Sequence, residues 1–243
     1  MYEEKLPLNI VNFISKIFDG SIIKFNDRES AANMLCPLLK DKLIKIPLSN
    51  EVLILGITRG GIILGDIIAR RFGYPFHIVI PRKLVAPYNK ELSIGGIMKD
   101  STLYLNSNII STLKITNAYL HMEKQRKLEE IKRREMALLV EQVEGEQLKE
   151  KNIILVDDGA ATGATLIVTS RWIRKYKPKN LIIAIPICPR STLGVLKKEA
   201  DYITSIINPL SRNFQTVENF YQNFEQLEIE RINNILKKYK LCP

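Results

Sequence analysis

Two adjacent aspartates, Asp157 and Asp158, close the apolar run Ile153-Ile154-Leu155-Val156 and lead into Gly159-Ala160-Ala161-Thr162-Gly163-Ala164-Thr165. A short apolar run that ends in a small-residue turn has the pattern of a buried strand. In open parallel sheets the ligand crevice lies outside the carboxyl ends of the strands, which is where both acids would stand. Small residues at 159 to 161 and Gly163 let backbone N–H groups come close to an anion. Thr162 and Thr165 add hydroxyl donors, and a following helix adds the positive end of its dipole. The chemistry encoded is an anion cradle beside a pair of carboxylates.

Other readings of the segment explain less of it. A nucleotide P-loop needs a Lys before its final Ser or Thr, and Ala164 stands there. Receiver-type magnesium sites also use paired acids, but after the first strand of the chain and without a phosphate cradle behind them. An acid pair that only caps a helix accounts for Asp157 and Asp158 and leaves Thr162-Gly163-Ala164-Thr165 unexplained.

Two more segments carry anion-binding chemistry. Gly56-Ile57-Thr58-Arg59-Gly60-Gly61 follows an apolar run, and its glycines permit a sharp turn while Arg59 offers a planar fork for phosphate oxygens. Such a turn also serves as a plain strand-to-helix connection. Pro81-Arg82-Lys83-Leu84-Val85-Ala86-Pro87, continuing through Asn89, Glu91 and Gly95-Gly96, is basic and rich in breakers. Its length, from Pro81 to about Thr102, is that of a mobile functional loop.

The elements that must position these residues follow from periodicity. Val52 to Ile57 and Phe76 to Ile80 are expected as buried strands around a helix from Ile62 to Phe72, ended by Gly73 and Pro75. One such βαβ unit makes a right-handed crossover and a parallel sheet the default. A long charged helix is expected over 116 to 140, with a linker over 141 to 151. Strands at Asn152 to Val156, Leu181 to Ile187 and Tyr202 to Ile207 then alternate with helices at Thr165 to Tyr176 and Leu193 to Glu199. Helix-period segments at Leu8 to Phe18 and Glu29 to Leu39, the latter capped by Asp27, flank an apolar run at Ile22 to Phe25. The whole reads as one α/β domain over 1–243, with a core at about 41–207 and accessory segments at 1–40 and 208–243.

Composition narrows the classes. With 46% hydrophobic and 26% charged residues the chain has the makings of an ordinary globular core. No apolar run is long enough to cross a bilayer, and Glu3, Glu4, Lys5 and Pro7 do not form a signal peptide, so a cytoplasmic location is expected. Cys36, Cys188 and Cys242 are scattered and suggest neither a zinc cage nor a disulfide framework. The net charge of +10 favours anionic partners, whether nucleic acid or a small polyphosphate. No nucleic-acid recognition module is evident, so RNA binding is the weaker alternative.

Taken together, the 157–165 segment resembles the PRPP-binding motif of type I phosphoribosyltransferases, PRPP being 5-phosphoribosyl 1-pyrophosphate. The resemblance implies a Rossmann-like, mostly parallel sheet flanked by helices, with a hood from the terminal segments. It implies that Asp157 and Asp158 face the ribose hydroxyls, that Ala160 to Thr165 wrap the 5-phosphate, and that Thr58, Arg59, Gly60 and Gly61 form the pyrophosphate loop. The basic segment resembles the family's flexible catalytic loop, which would bring Arg82 and Lys83 to the leaving pyrophosphate. Mg²⁺ is implied as cofactor, bound through PRPP and ordered water, with Asp157 and Asp158 as indirect ligands. A homodimer is implied as well, through the 116–140 helix.

The similarity extends to a less characterised branch, sometimes fused to a hydrolase domain, on Phe25-Asn26-Asp27-Arg28-Glu29, Arg133-Arg134-Glu135 and Asn219-Phe220-Tyr221-Gln222-Asn223-Phe224. Thr58 stands where Pro is usual, and Val85 and Ala160 replace the commoner Gly and Ile. Ala161 stands where 6-oxopurine enzymes carry an Asp, which argues against hypoxanthine or guanine as acceptor. Glu91 is the nearest candidate for a general base. Phe214, Phe220, Tyr221 and Phe224 are expected either to stack on the acceptor or to pack in a core. A PRPP- or nucleotide-sensing regulator on the same fold is the alternative to an enzyme.

Overall fold

Val52–Ile57 (β1) and Asn152–Val156 (β6) are buried at every position, as continuous apolar runs must be when both faces of a parallel sheet are covered. They pair in parallel, with Val52 opposite Asn152 and Gly56 opposite Val156. The computed structural model describes residues 24–46, 51–138 and 142–239. The helix expected at Leu8 to Phe18 lies outside the described residues.

Around the central pair the main sheet adds Phe76–Val79 (β2), Asn180–Ile187 (β7) and Tyr202–Ile207 (β8), all parallel, in the order β2-β1-β6-β7-β8. The chain therefore steps from β1 outward to β2, then returns to the other side of β1 and proceeds through β6 to β8. The order reverses between β1 and β6. A crevice opens there at the carboxyl ends of the two strands, and ligands bind at such switch points in open α/β sheets.

The pleat sorts the strand residues into two cores. Ile54, Ile154, Val156, Ile182 and Ala184 face Arg28–Ile44 (α1) and Gly60–Phe72 (α2). Leu53, Leu55, Ile153, Leu155, Ile183 and Ile185 face Ala164–Lys175 (α5), whose Leu166, Ile167, Trp172 and Ile173 are buried against them. Arg190–Leu196 (α6) joins β7 to β8. Asp27 caps α1 by accepting from the Ser30 amide at 2.7 Å, and the Ser30 hydroxyl reciprocates toward the Asp27 backbone. α1 runs past the expected end at Leu39 to Ile44, with Pro37 in its interior.

The stretch 81–102, expected as a mobile loop, is instead most of a three-stranded antiparallel sheet. It consists of Arg82–Ala86 (β3), Asn89–Ile97 (β4) and Leu103–Leu105 (β5), in the order β3-β4-β5. The glycines read as breakers are there for close packing. A Cβ on Gly95 would sit 2.1 Å from the Tyr104 carbonyl oxygen, and one on Gly96 would sit 2.8 Å from the Ala164 carbonyl oxygen at the start of α5. The hairpin end is exposed, with Tyr88 fully so, as are Lys83 and Lys99 to Ser101.

Ser107–Thr112 (α3) and Asn117–Ala137 (α4) follow, the first not anticipated in the sequence. α4 holds the small sheet through a buried Glu123. Its carboxylate accepts the Val85 amide at 3.1 Å and pairs with Arg126 at 2.7 Å, while the Tyr119 hydroxyl donates to the Val85 carbonyl at 2.9 Å. Ile229–Lys237 (α7) closes the described chain and buries Ile232 and Leu236. No helix among the described residues is long and apolar enough to cross a membrane.

Candidate functional site

The two loops at the switch point pack against each other. The turn after β1 carries Thr58 and Arg59 and runs into Gly60 and Gly61 at the start of α2, and the turn after β6 begins with Asp157 and Asp158. A Cβ on Gly60 would lie 1.8 Å from Asp158 Oδ2, and one on Gly61 would lie 2.3 Å from the Val156 carbonyl oxygen. Only hydrogen fits at either place, so the glycines let the arginine-bearing turn lie directly on the acid pair. The Thr58–Arg59 peptide is cis. Thr58 Oγ1 is buried and has no hydrogen-bond partner among the described residues.

The acids themselves are unequal. Asp157 is 8% exposed and accepts the Asp158 amide at 2.9 Å. Burial, then the charge of Asp158, pushes its carboxyl well above the usual carboxylate range, while the Asp158 amide, Lys83 and Arg28 pull the other way. Asp158 is held by Arg28 through an Nε to Oδ2 bond of 2.9 Å, with both side chains largely shielded from water. Arg28 also donates to the Glu225 carbonyl at 2.8 Å, and its guanidinium lies 3.8 Å over the Phe224 ring. The Tyr221 hydroxyl donates to the Asp158 carbonyl at 2.7 Å.

Behind the acids, the turn is pinned at Ala160 and Ala161. The Ala160 amide donates to the Ile187 carbonyl at 2.9 Å, and the Thr192 hydroxyl donates to the Ala161 carbonyl at 2.6 Å. Gly163 takes a left-handed conformation, φ +72°, as the N-cap of α5, which has no side-chain cap. The first-turn amides of α5 are therefore uncapped by side chains at the positive end of its dipole. Thr162 is exposed, Ala161 and Thr165 are half-buried, and Ala160, Gly163 and Ala164 are buried.

The remaining candidate residues separate. Lys83 pairs across the small sheet with Gly96, the glycine that rests on the start of α5, and its charge acts on Asp157. Arg82, next in the strand, points to the opposite face, where its Nε approaches Glu130 of α4 at 3.8 Å. Glu91 is exposed toward the hairpin end, with its amide bonded to Asn89 Oδ1 at 3.0 Å, and makes no ion pair or side-chain hydrogen bond with the acids. Arg59 reaches the tail, donating to the Leu227 carbonyl at 3.0 Å.

The tail aromatics divide between packing and the site. Phe220 and Tyr221 are buried with Phe25 and Ile187, and Phe25 forms a parallel bridge with Tyr221. Phe214 stacks on Phe220 with centroids 5.6 Å apart. Phe220 and Tyr221 therefore pack in a small core with Phe25, Ala31 and Ile187. Sequence reasoning missed Arg28 as a member of the site, since its partner Asp158 lies 130 residues away and no local signal links them.

Comparison with known proteins adds to this geometry. The family model described as "Phosphoribosyl transferase domain" matches residues 39–222. Curated relatives from two strains of Mycobacterium tuberculosis, "Putative phosphoribosyl transferase Rv0571c" and "Putative phosphoribosyl transferase MT0597", are each 26% identical over 208 residues, which is 86% of this chain and 45% of theirs. The chain thus spans about half the length of the curated relatives it matches. The crystal structure of TT1426 from Thermus thermophilus superposes with a TM-score of 0.69 at 27% identity, covering 89% of this chain and 99% of that one.

Proposed function

The chain belongs to the phosphoribosyl transferase domain family, and from that premise we propose that it transfers the 5-phosphoribosyl group of PRPP to a nitrogen acceptor with release of pyrophosphate. The observation that carries this reading is the contact between the two switch-point turns, in which Gly60 leaves room only for hydrogen against Asp158 Oδ2. An arginine-bearing turn, a carboxylate pair and an uncapped helix start are thereby assembled on one rim. They suit the pyrophosphate, the ribose and the 5-phosphate of one substrate.

In this proposal the ribose hydroxyls donate to Asp157 and Asp158, in charge-assisted bonds that fix the ring. The 5-phosphate sits against the amides of residues 161–165 and the Thr162 and Thr165 hydroxyls. Thr58, Arg59, Gly60 and Gly61 face the pyrophosphate, and the orphaned Thr58 hydroxyl is a donor available to it. The bond from C1 to the pyrophosphate oxygen breaks, the oxygen keeping the electron pair, and a C1–N bond forms to the acceptor. Positive charge that builds on the ribose ring is stabilised by the nearby carboxylates. The acceptor proton leaves to Glu91 or to solvent.

Magnesium, when bound, would neutralise the leaving pyrophosphate. Among the described residues no cluster of three or more candidate metal ligands occurs, so the protein's share in holding it is Asp157 and Asp158, through water, with PRPP oxygens supplying the rest. Burial raises the proton affinity of Asp157, and Mg²⁺ accompanying PRPP would favour its ionised form. Lys83, close enough to act on Asp157, stands on the small sheet where it can reach the substrate's phosphates.

The test is a pyrophosphate-release assay with PRPP, Mg²⁺ and a panel of nucleobases and ring amines. Release that requires PRPP and one acceptor is expected. Binding of PRPP with no release for any acceptor would favour the sensing role, and failure to bind PRPP would refute both.

A further inference from the structure

Glu123 is a buried carboxylate that the proposed transfer does not use. It lies on α4 at 3% exposure, although an ionised group costs more to bury than a neutral amide or hydroxyl that could accept the same bond. What it accepts is the Val85 amide, at 3.1 Å. One turn earlier on α4, the Tyr119 hydroxyl donates to the Val85 carbonyl at 2.9 Å. β3 lies at the edge of its sheet. At Val85, α4 thus stands in for a further strand, meeting both backbone groups with side chains.

Register shifts fall on both sides of Val85, between Leu84 and Val85 and between Val85 and Ala86, so the ladder to β4 is interrupted at that residue. A charge-assisted bond, the stronger kind, therefore holds the strand where its own ladder does not. The attachment continues along α4. Lys127 meets Glu123 at 3.9 Å and Glu130 at 2.9 Å, and Glu130 approaches Arg82 at 3.8 Å. Arg126 pairs with the second Glu123 oxygen at 2.7 Å. Tyr119, Glu123, Lys127 and Glu130 are spaced three or four residues apart and so share one face of the helix. β3 is tied to that face on both sides of Lys83, at Arg82 and at Val85. Across the sheet, Lys83 is paired with Gly96, which rests on the start of α5.

We propose that Glu123 is a positioning residue for the transfer, acting through the Val85 amide to hold β3 so that Lys83 stands toward the acid pair. A strand fixed in advance spares the binding step the cost of ordering it. What Lys83 does for the substrate rests on the transfer reading, whereas the hold of Glu123 on β3 does not.

The experiment is a double-mutant cycle: calorimetric titration of PRPP with Mg²⁺ into wild type, Glu123→Ala, Lys83→Ala and the double variant, with amide hydrogen exchange of β3 and melting curves on each. Tyr119→Phe, which removes one hydrogen bond and no charge, takes the place of Glu123→Ala if that variant does not fold. Glu123→Ala is expected to speed exchange at Val85 and to weaken PRPP binding by about ten-fold, with less than about two-fold further loss in the Lys83→Ala background. Glu123→Gln, which keeps an acceptor oxygen for the Val85 amide, is expected to recover part of the affinity. A carboxylate that only stabilises the fold would lower the melting temperature and leave the two affinity losses additive, and that result would overturn the proposal. Unchanged exchange at Val85 would overturn it as well. If wild type binds no PRPP, the transfer reading fails separately, and exchange at Val85 then decides by itself whether Glu123 holds the strand.

Discussion

Asp157→Asn is expected to lower turnover by roughly 10²–10³-fold, the scale seen when one preorganised group facing transition-state charge is removed, and at the same time to raise the melting temperature of the ligand-free protein at pH 8. The two effects have one cause. Asp157 is buried beside Asp158, and its folded-state proton affinity is raised above that of an unfolded Asp. The stability tied to that proton is fully present below the unfolded value of about 3.9 and is lost as pH rises through the folded one, so ionisation at neutral pH weakens the fold. Asn carries no charge to bury. The gain in melting temperature should therefore be largest at pH 8 and shrink to nothing near pH 4. Melting curves of both proteins across that range, together with a single-turnover assay, check it. A variant less stable than wild type at pH 8 would contradict the assignment of Asp157 as a group strained for function.

The second large effect is expected from Arg28→Ala. Arg28 and Asp158 form a shielded ion pair at 2.9 Å, with side chains 9% and 14% exposed. Removing one partner of a buried pair destabilises by about 3–5 kcal/mol because the other charge is left uncompensated. The same change releases the Glu225 carbonyl and the Phe224 ring, so the tail loses its hold on the acid pair. Denaturant unfolding measures the loss, with Arg28→Lys expected to recover part of it by restoring charge without the planar fork. A loss below about 1 kcal/mol, the value of an exposed pair, would mean that Arg28 does not organise Asp158.

How far the sequence reached depends on whether a signal was local. β1 and β6 have the expected bounds because residues buried on both faces form unbroken apolar runs, and such runs need no partner to be recognised; the edge strand β8, mostly half-buried, also has the expected bounds. The small sheet is hidden because β3 and β5 are short and β3 is flanked by Pro81 and Pro87. Their alternation is broken by register shifts at Leu84/Val85 and Val85/Ala86, and Gly95 and Gly96 read as breakers although they mark close backbone packing.

The candidate site divides in the same way. The order of residues in 157–165 was legible, since an acid pair followed by small residues and threonines is contiguous. The Arg28 bond to Asp158, the divergence of Arg82 from Lys83 and the gathering of Arg59, Arg82, Arg133 and Arg134 around one cleft were not, because each depends on chain segments brought together only by the fold. Arg133-Arg134 was noted as a mark of resemblance, and only the placement of α4 against β3 gives it a chemical environment.

The most direct measurement is a crystal structure of the protein with PRPP and Mg²⁺. Ribose hydroxyls within hydrogen-bond distance of the Asp157 and Asp158 carboxylates are expected, with the 5-phosphate against the backbone amides of residues 161–165. A 5-phosphate bound elsewhere, with those amides turned toward protein carbonyls, would contradict the assignment of this rim as the sugar-phosphate site.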